Sequence, residues 1–294
     1  MKRISETDLI LNKDGSIYHI NLLPGDIADT IITVGDPDRV GQVSKYFDHI
    51  EIKKGKREFI THTGCIGKKR LTVISTGIGT DNIDIVLNEL DALVNIDLKT
   101  MLPKPNLRHL DIIRIGTSGA IQPDIPVDSL LISAAAFGLD SIMNYYEQNL
   151  TVEDQELLLQ FTSMFPGEYK INPYLAIASK ELLETYAVDL NRGITLTAPG
   201  FYAPQGRMLR AKQRAPNLMS LIQNFNASGK KINNLEMETA GIYGLATCLG
   251  HRAISFNVIL ANRAINSFSK NPDKVMNGFI QVILSIICNQ NKSH

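Results

Sequence analysis

Short apolar runs rich in β-branched residues recur along the chain, and several are separated by segments with helical spacing. The runs predict six strands, at 30–34, 71–75, 111–115, 129–133, 194–197 and 253–260. Apolar residues at helical spacing predict three helices, at 82–93, 238–249 and 272–287. Strands that alternate with helices are typical of an α/β fold, in which helices cover both faces of a mixed sheet.

Two polar segments, at 99–109 and 163–173, interrupt this pattern without dividing the chain. Strong apolar strands lie on both sides of each, so we predict surface excursions rather than linkers. The sequence shows no internal repeat and no low-complexity linker. We therefore expect residues 1–294 to form a single α/β domain, with a mixed central β-sheet flanked by helices and with residues 1–15 and 289–294 at its periphery.

Charge and hydropathy narrow the classes of function. The chain has 30 basic and 30 acidic side chains, whereas a protein that binds nucleic acid usually carries a basic excess. No stretch approaches the roughly 20 apolar residues of a membrane span, and the N-terminus has no apolar run long enough for a signal peptide. We therefore expect no nucleic-acid partner, no membrane partner and a cytoplasmic location.

The cysteines agree with that location. Cys65, Cys248 and Cys288 are scattered, form no CxxC pair and are odd in number, which indicates a reducing compartment. Cys248 and Cys288 lie in apolar runs, so we predict that both are buried thiols.

Glycine-containing loops follow four of the predicted strands, at 35–39, 75–79, 114–119 and 201–207. Ligands of α/β sheets gather at the carboxyl ends of strands. Glycine lets the backbone approach a ligand closely and leaves N–H groups free to bind an anion. Arg39 and Arg114 add planar charged groups that suit phosphate. The loops together predict an anion site at this edge of the sheet.

Motifs of several other enzyme classes are missing from the sequence. It contains no GxxxxGK(S/T) loop of an NTPase, and TGIGTD at 76–81 lacks the third glycine of a dinucleotide fingerprint. GTSGA at 116–120 does not match the GxSxG of an α/β-hydrolase. No HExxH motif or Cys/His cluster suggests a metal site.

Four motifs that are present resemble the nucleoside phosphorylase family (purine/uridine phosphorylase, family 1), in the family's order. They are GDPDRV at 35–40, STGIG at 75–79, RIGTSGAIQ at 114–122 and EMETAGIYGLA at 236–246. The resemblance runs from about Tyr18 to the C-terminal helix. It implies a mixed, partly barrel-like sheet flanked by helices, with the active site at a subunit boundary. It also implies phosphorolysis of a nucleoside to a free base and ribose 1-phosphate.

Within that family, FYAPQGR at 201–207 resembles the uridine phosphorylase pattern, in which a Gln and an Arg bind the edge of uracil. Gln205 can donate to one uracil carbonyl and accept from N3–H, and Arg207 can donate to O4. Asn262 agrees, because purine-specific relatives carry there an Asp that protonates the purine ring. EMETAGIYG at 236–244, by contrast, is similar to purine phosphorylases. A purine-directed or broad-specificity nucleoside phosphorylase therefore stays open beside uridine.

The resemblance also implies a role for individual residues. Phosphate is held by Gly35, Arg39, Arg114 and Thr117, with Arg57 reaching in from a neighbouring subunit. Ribose is held by Met237 and Glu238, with His19 from the partner. Base contacts fall to Ser118, Gly119, Phe201, Gln205 and Arg207. The catalytic groups are Arg114, Glu238 and Arg207, while Glu236 supports the strand-to-helix turn.

The implied partners are a nucleoside, inorganic phosphate as co-substrate and further copies of this chain. The minimal unit is a dimer with shared sites, and a hexamer is the larger alternative. No organic cofactor is implied. A monovalent cation such as K⁺ at the subunit interface stays open, because Glu58 and Ile78 match the family's cation site whereas Asn82 replaces the usual Ser.

Two further functions on this fold fit the residues less well. A hydrolytic nucleosidase has no use for Arg39, Arg57 and Arg114 together. A non-catalytic nucleoside-binding protein does not need both Arg114 and Glu238.

Overall fold

The computed structural model describes residues 3–289, so residues 1–2 and 290–294 of the two expected peripheral segments lie outside it. The strands are β1 (Thr30–Val34), β2 (His49–Lys56), β3 (Phe59–Ile66), β4 (Lys69–Ser75), β5 (Ile96–Asp97), β6 (Leu102–Pro103), β7 (Asp111–Ala120), β8 (Ser129–Gly138), β9 (Tyr174–Ile177), β10 (Arg192–Thr197), β11 (Ile232–Glu236), β12 (Arg252–Asn262) and β13 (Ser267–Phe268). The helices are α1 (Pro37–Ser44), α2 (Thr80–Asn95), α3 (Val152–Ser163), α4 (Lys180–Tyr186), α5 (Leu218–Asn224), α6 (Thr239–Cys248) and α7 (Pro272–Cys288).

Eleven strands of this range form one mixed sheet, in the order β13-β12-β8-β10-β11-β7-β1-β4-β3-β2, with β9 beside β8. β12 pairs with β8 along one edge and with β7 along the other. The strands β7, β12, β8, β10 and β11 therefore close into a barrel, and β1, β4, β3 and β2 continue from β7 as an open wing. This is the single-domain α/β fold with a partly barrel-like sheet and flanking helices that the motifs implied.

The helices cover the sheet through the apolar faces that their spacing predicts. In α2, Ile83, Val86, Leu87, Leu90 and Leu93 are all fully buried in the main core. A second core lies beneath α3 and α5, where the rings of Phe137 and Phe161 stack at 3.9 Å between centroids. Buried aromatic pairs of this kind add to the area that they remove from water.

All six predicted strands and all three predicted helices occur, but the segment 114–119 was wrongly predicted to be a loop. It is the second half of β7. The strand continues because β12 pairs with it in parallel from Arg252 opposite Asp111 to Asn262 opposite Ala120. The hairpin of β2 and β3 was not predicted, since β2 reads HIEIKKGK, a largely polar run with one face half-buried.

The prediction that Cys248 and Cys288 are buried was wrong for Cys248 and only partly right for Cys288. Cys248, expected to be buried, is exposed because it lies in the last turn of α6, where its thiol contacts the carbonyl of Glu147. Cys65 and Cys288 are half-buried, and all three are free thiols. None of the helices among residues 3–289 is both long and apolar enough to span a bilayer.

Candidate active site

A cavity of about 730 Å³ opens where β1, β4, β10 and β11 end, and it includes side chains of β7 and β12. Eleven residues to which the family resemblance gives a role lie in its wall: Gly35, Arg39, Arg114, Thr117, Ser118, Gly119, Phe201, Gln205, Arg207, Met237 and Glu238. The fold thus brings together motifs that are separated by up to two hundred residues of sequence. A concave site with converging charged groups is the expected form of a small-molecule site.

At the centre of the cavity wall, the buried guanidinium of Arg114 lies between two buried carboxylates. Its Nη2 is 2.7 Å from Oε2 of Glu238 and 2.9 Å from Oε2 of Glu236. Its Nη1 donates to Oδ1 of Asn257 at 3.1 Å. Charge-assisted bonds of this kind fix the plane of the guanidinium.

Glu238 occupies the N-cap position of α6, as its place near a predicted helix start suggested. Its Oε1 accepts the backbone N–H of Gly79 at 2.9 Å, so β4 and α6 meet at this carboxylate. Burial raises the pKa of Glu238, whereas the guanidinium of Arg114 acts to lower it. The guanidinium of Arg114 therefore favours the ionised carboxylate against the effect of burial.

Glu236 caps the same helix and also contacts Arg114. Its carboxylate accepts the N–H groups of Glu238 and Thr239 at 2.9 and 3.0 Å and the hydroxyl of Thr197 at 2.6 Å. The expected support of the strand-to-helix turn is therefore present. Its ion pair with Arg114 was not predicted, although two carboxylates two residues apart at a strand end can face the same side.

Gly116 allows the Arg114 side chain to lie flat against β7. A Cβ atom at this position would lie 2.0 Å from Nη1 and 2.3 Å from Cζ of Arg114. Such an approach is far inside van der Waals contact, so a side chain at Gly116 would displace the guanidinium.

Arg39, in the first turn of α1, has no ion-pair partner among the described residues. Its Nε is buried and makes no hydrogen bond within residues 3–289. Burial lowers the pKa of Arg39, with Asp36 opposing that effect. A buried donor without a partner costs about 1–3 kcal/mol, so a site with such a donor is suited to an anion.

The other end of the cavity is formed by the turn after β10, which contains a single 3₁₀ turn at Ala203–Gln205. Arg207 stacks on the half-exposed ring of Phe201, with Cζ 3.7 Å from the centroid, and donates to the carbonyl of Phe201 and to Oε1 of Gln205. Burial lowers the pKa of Arg207, and Arg263 acts in the same direction. Gln205 is buried, and its amide nitrogen has no partner in the described part of the chain.

The model of the phosphorylase superfamily matches residues 29–287 of the sequence. The chain belongs to this superfamily. A uridine phosphorylase of Thermococcus kodakarensis is 31% identical over 268 residues, which cover 89% of this chain and 83% of that protein. A DeoD-type purine nucleoside phosphorylase of Vibrio cholerae is 26% identical over 281 residues, 92% of this chain and 98% of the relative.

A solved structure agrees with these relatives. A Trypanosoma brucei nucleoside phosphorylase that shows uridine phosphorylase activity superposes with a TM-score of 0.85 at 29% identity, over 96% of this chain and all of that chain. The protein is therefore an enzyme of the nucleoside phosphorylase family, as the four motifs predicted.

Two residues predicted to act in a neighbour's site lie outside the cavity of this phosphorylase. Arg57 is exposed at the tip of the β2–β3 hairpin with φ of 56°. His19 is held by Glu89, which bonds its ring Nδ1 at 2.5 Å and accepts its backbone N–H. Neither residue reaches the site of its own chain, and their contribution to another subunit stays a prediction.

The three residues matched to the family's cation site do line the cavity of the phosphorylase. Glu58 and Asn82 converge on Gly77, since a Cβ atom there would lie 3.1 Å from Cγ of Glu58 and 2.4 Å from Nδ2 of Asn82. Ile78, between the glycines of STGIG, is exposed. A monovalent cation at this place stays a prediction.

The comparison with purine enzymes implies that Asn262 lies beside the base, but the structure places it elsewhere. It is fully buried and does not line the cavity. Its amide nitrogen donates to the carbonyls of Gln122 and Ile125, and its oxygen accepts the N–H of Ala264. Asn262 therefore joins two loops, and in this arrangement it makes no direct contact with a base.

One group outside the cavity has the composition of a metal site. His49, Glu51 and Cys65 lie close together on β2 and β3, the strands at the open edge of the sheet. The carboxylate of Glu51 is already bonded by Nε of Arg70 at 2.8 Å and by the thiol of Cys65. The phosphorylase site itself contains no comparable cluster among the described residues.

Replacing Gly116 by Ala should displace Arg114 from Glu236 and Glu238. We expect the free energy of unfolding in urea to fall by on the order of 3 kcal/mol, the cost of breaking a buried ion pair. Gly119→Ala is the matched control, since its Cβ would meet nothing closer than 3.9 Å. Equal stability of Gly116→Ala and wild type would show that Arg114 can occupy another position.

Proposed function

We propose that this phosphorylase acts on uridine, converting uridine and phosphate to uracil and ribose 1-phosphate. The observation that carries the proposal is the position of Gln205 and Arg207, in the same cavity as Arg39, Arg114 and Glu238. The cavity thus has a cationic end and an end with amide and guanidinium donors. A nucleoside fits between them with its base toward Gln205 and Arg207 and its ribose beside Glu238.

Phosphate binds at the end formed by Gly35, Arg39, Arg114 and Thr117. The free Nε of Arg39 supplies a donor. Gly35 precedes α1, whose N-terminus favours an anion. Arg57 of a neighbouring subunit completes the phosphate site in this proposal. Together these groups hold a phosphate oxygen as the nucleophile.

Ribose lies over Met237 and Glu238, with His19 of a neighbouring subunit at its far end. The ionised Glu238 accepts hydrogen bonds from the ribose hydroxyls and stabilises positive charge that develops at C1′. Arg114, 2.7 Å away, favours the ionised form of that carboxylate against the effect of its burial.

The uracil ring contacts Ser118, Gly119 and Phe201, with its polar edge on Gln205 and Arg207. When phosphate oxygen bonds to C1′, the C1′–N1 bond breaks and its electron pair moves into uracil. Arg207 and Gln205 then stabilise the negative charge on the departing ring, which takes a proton from solvent. One preorganised donor of this kind lowers a barrier by about 3–4 kcal/mol.

A purine or broad-specificity phosphorylase is the second candidate. It is favoured by the similarity to the Vibrio cholerae purine nucleoside phosphorylase, which covers 92% of this chain. The uridine relative from Thermococcus kodakarensis has the higher identity, 31% against 26%. The Gln205–Arg207 pair, which matches a pyrimidine edge, makes uridine the better proposal. No organic cofactor takes part, and we place the enzyme in the cytoplasm.

The purified protein should turn over uridine only when phosphate is added, because the phosphate oxygens are the nucleophile. Product analysis should find ribose 1-phosphate rather than free ribose. Thymidine, inosine and adenosine, each with and without phosphate, are the comparison substrates. Free ribose formed at the same rate without phosphate would instead indicate a nucleosidase, and preference for inosine would favour the purine candidate.

Arg207→Ala should lower kcat/KM for uridine by roughly 10²-fold or more, because it removes a donor to the leaving-group charge. Phosphate affinity should change little, since Arg39 and Arg114 lie at the other end of the cavity. Arg210→Ala, which removes an exposed charge from the same segment, is the control and should leave turnover intact. Steady-state kinetics with both substrates varied will test this, and unchanged uridine turnover in Arg207→Ala would place the base elsewhere.

Mixing two inactive variants tests the shared site. If Arg57 acts in a neighbour's site, the Arg57→Ala and Glu238→Ala changes of a mixed dimer fall in the same site, so the other site is intact. Random exchange between equal amounts should recover about a quarter of wild-type activity. Sedimentation measured in parallel gives the size of the oligomer, from dimer to hexamer. No recovery after proven subunit exchange, or a fully active monomer, would refute the sharing of sites.

A further inference from the structure

Behind the cavity, polar side chains of five barrel strands form one unbroken chain of hydrogen bonds. Arg114 Nη1 donates to Oδ1 of Asn257 at 3.1 Å, and Nδ2 of Asn257 donates to Oγ of Ser133 at 2.8 Å. Ser133 and Thr195 share a hydrogen bond of 2.5 Å between hydroxyls. Thr195 then donates to Oδ1 of Asn234 at 2.8 Å, and Nδ2 of Asn234 donates to Oγ of Ser118 at 2.9 Å.

The two ends of this chain both lie in the cavity wall, whereas its four middle members are fully buried. Arg114 and Ser118 line the cavity. Ser133, Thr195, Asn234 and Asn257 have no exposed surface. The chain therefore passes through the interior of the barrel and joins the charged part of the site to Ser118 on the base side.

The direction of every bond in the chain follows from Arg114. A guanidinium has donors and no acceptor, so Asn257 must present its amide oxygen to Arg114 and its nitrogen to Ser133. Ser133, having accepted that bond, can donate its proton to Thr195. Thr195 in turn donates to the oxygen of Asn234. Reversing Asn234 would make Thr195 donate to Ser133, which would then accept two bonds and have no acceptor among the described residues for its own buried proton.

This direction leaves the Ser118 proton for the cavity. Ser118 accepts from Nδ2 of Asn234, and no acceptor for its own proton is found among the described residues. The hydroxyl therefore keeps its proton free to donate to whatever occupies the cavity. A serine without such a partner could rotate and serve as donor or acceptor.

We propose that this hydrogen-bond chain makes Ser118 a donor of fixed polarity, which selects a base with an acceptor atom at that place. Asn257, Ser133, Thr195 and Asn234 are positioning residues that act through Ser118. The proposal rests on the proposed function to the extent that a nucleoside occupies the cavity, whether its base is uracil or a purine. As the base departs, negative charge grows on its acceptors and the bond from Ser118 strengthens.

The stability of the fold alone does not account for this hydrogen-bond chain. Replacing both partners of a buried hydrogen bond by apolar groups of the same shape is often nearly neutral. A fully satisfied polar network instead holds its members in one arrangement. The chain meets that condition at every link, so its effect is to fix orientation.

The test is a double-mutant cycle on kcat/KM for phosphorolysis of the nucleoside that wild type turns over. Thr195→Val removes the middle hydroxyl at nearly constant volume, and Ser118→Ala removes the end of the chain. We expect Thr195→Val to lower kcat/KM about tenfold, the size of one lost hydrogen bond. Thr195→Ser, which keeps the hydroxyl, should have the wild-type kcat/KM. In the Ser118→Ala background, Thr195→Val should cause less than about a twofold further loss, because the chain acts only through Ser118.

Thr63→Val is the control for buried threonine loss. Thr63 is fully buried and hydrogen-bonded to the hydroxyl of Thr72 at 2.8 Å, on strands β3 and β4 outside the barrel. The Thr63→Val variant should be less stable than wild type but have the same kcat/KM. Ser133→Ala breaks the same chain one link earlier and replaces Thr195→Val if that variant fails to fold.

Two kinetic outcomes would overturn the proposal: an undiminished kcat/KM in Thr195→Val, or an equal loss in both backgrounds, which would indicate an effect through packing. Failure of the proposed function is seen separately, in wild type, as the absence of phosphate-dependent nucleoside turnover. That result would remove the basis of both proposals.

Discussion

The buried guanidinium of Arg114 is the interaction on which the site depends. Two carboxylates and one guanidinium meet there out of water, at the junction of β7 with β11 and α6. Burying charges is costly unless they are paired and their remaining hydrogen bonds are satisfied. Glu236 meets this condition through the N-terminus of α6, and Glu238 meets it through the N–H of Gly79.

Closure of the barrel brings the partners of this ion cluster together. Arg114 can reach Asn257 only because β12 lies parallel beside β7, and it can reach Glu238 only because β11 crosses on the other side. The glycine at 116 leaves room for the guanidinium inside the ring of strands. A polar interior in a small barrel then requires partners for each hydroxyl and amide, and the neighbouring strands supply them.

How much of the fold and of the site could be predicted from sequence depends on how far apart in the sequence the interacting residues lie. β1 was predicted at its observed bounds, and the apolar face of α2 was predicted residue by residue, because both follow from local periodicity. The four motifs and FYAPQGR at 201–207 located the cavity wall, including Arg39 and Arg207. The prediction of a loop at 114–119 failed because glycine inside a strand resembles a turn until the pairing with β12 is known.

Other features depend on contacts that no local pattern carries. The hydrogen bonds of the buried chain join residues 62, 39 and 116 positions apart, between Ser133 and Thr195, Thr195 and Asn234, and Asn234 and Ser118. In the sequence, each residue of this hydrogen-bond chain is a single polar residue in a strand. Its side chain could equally face solvent or the interior, because successive side chains of a strand point to opposite faces. Only closure of the barrel turns them inward.

The arrangement also separates the chemistry of the site from its choice of base. The ion cluster at Arg114 contains no residue of the turn after β10 that carries Arg207. Changes within that turn can therefore alter which base is accepted while the ion cluster stays intact. This is the physical reason that similarity across most of the chain, to relatives named for uridine and for purines alike, constrains the reaction more tightly than the base. Ser118 belongs to both parts, since it faces the cavity at the base end and is bonded through the barrel to Arg114. In our proposal, the choice of base by this enzyme depends on the barrel interior as well as on the turn.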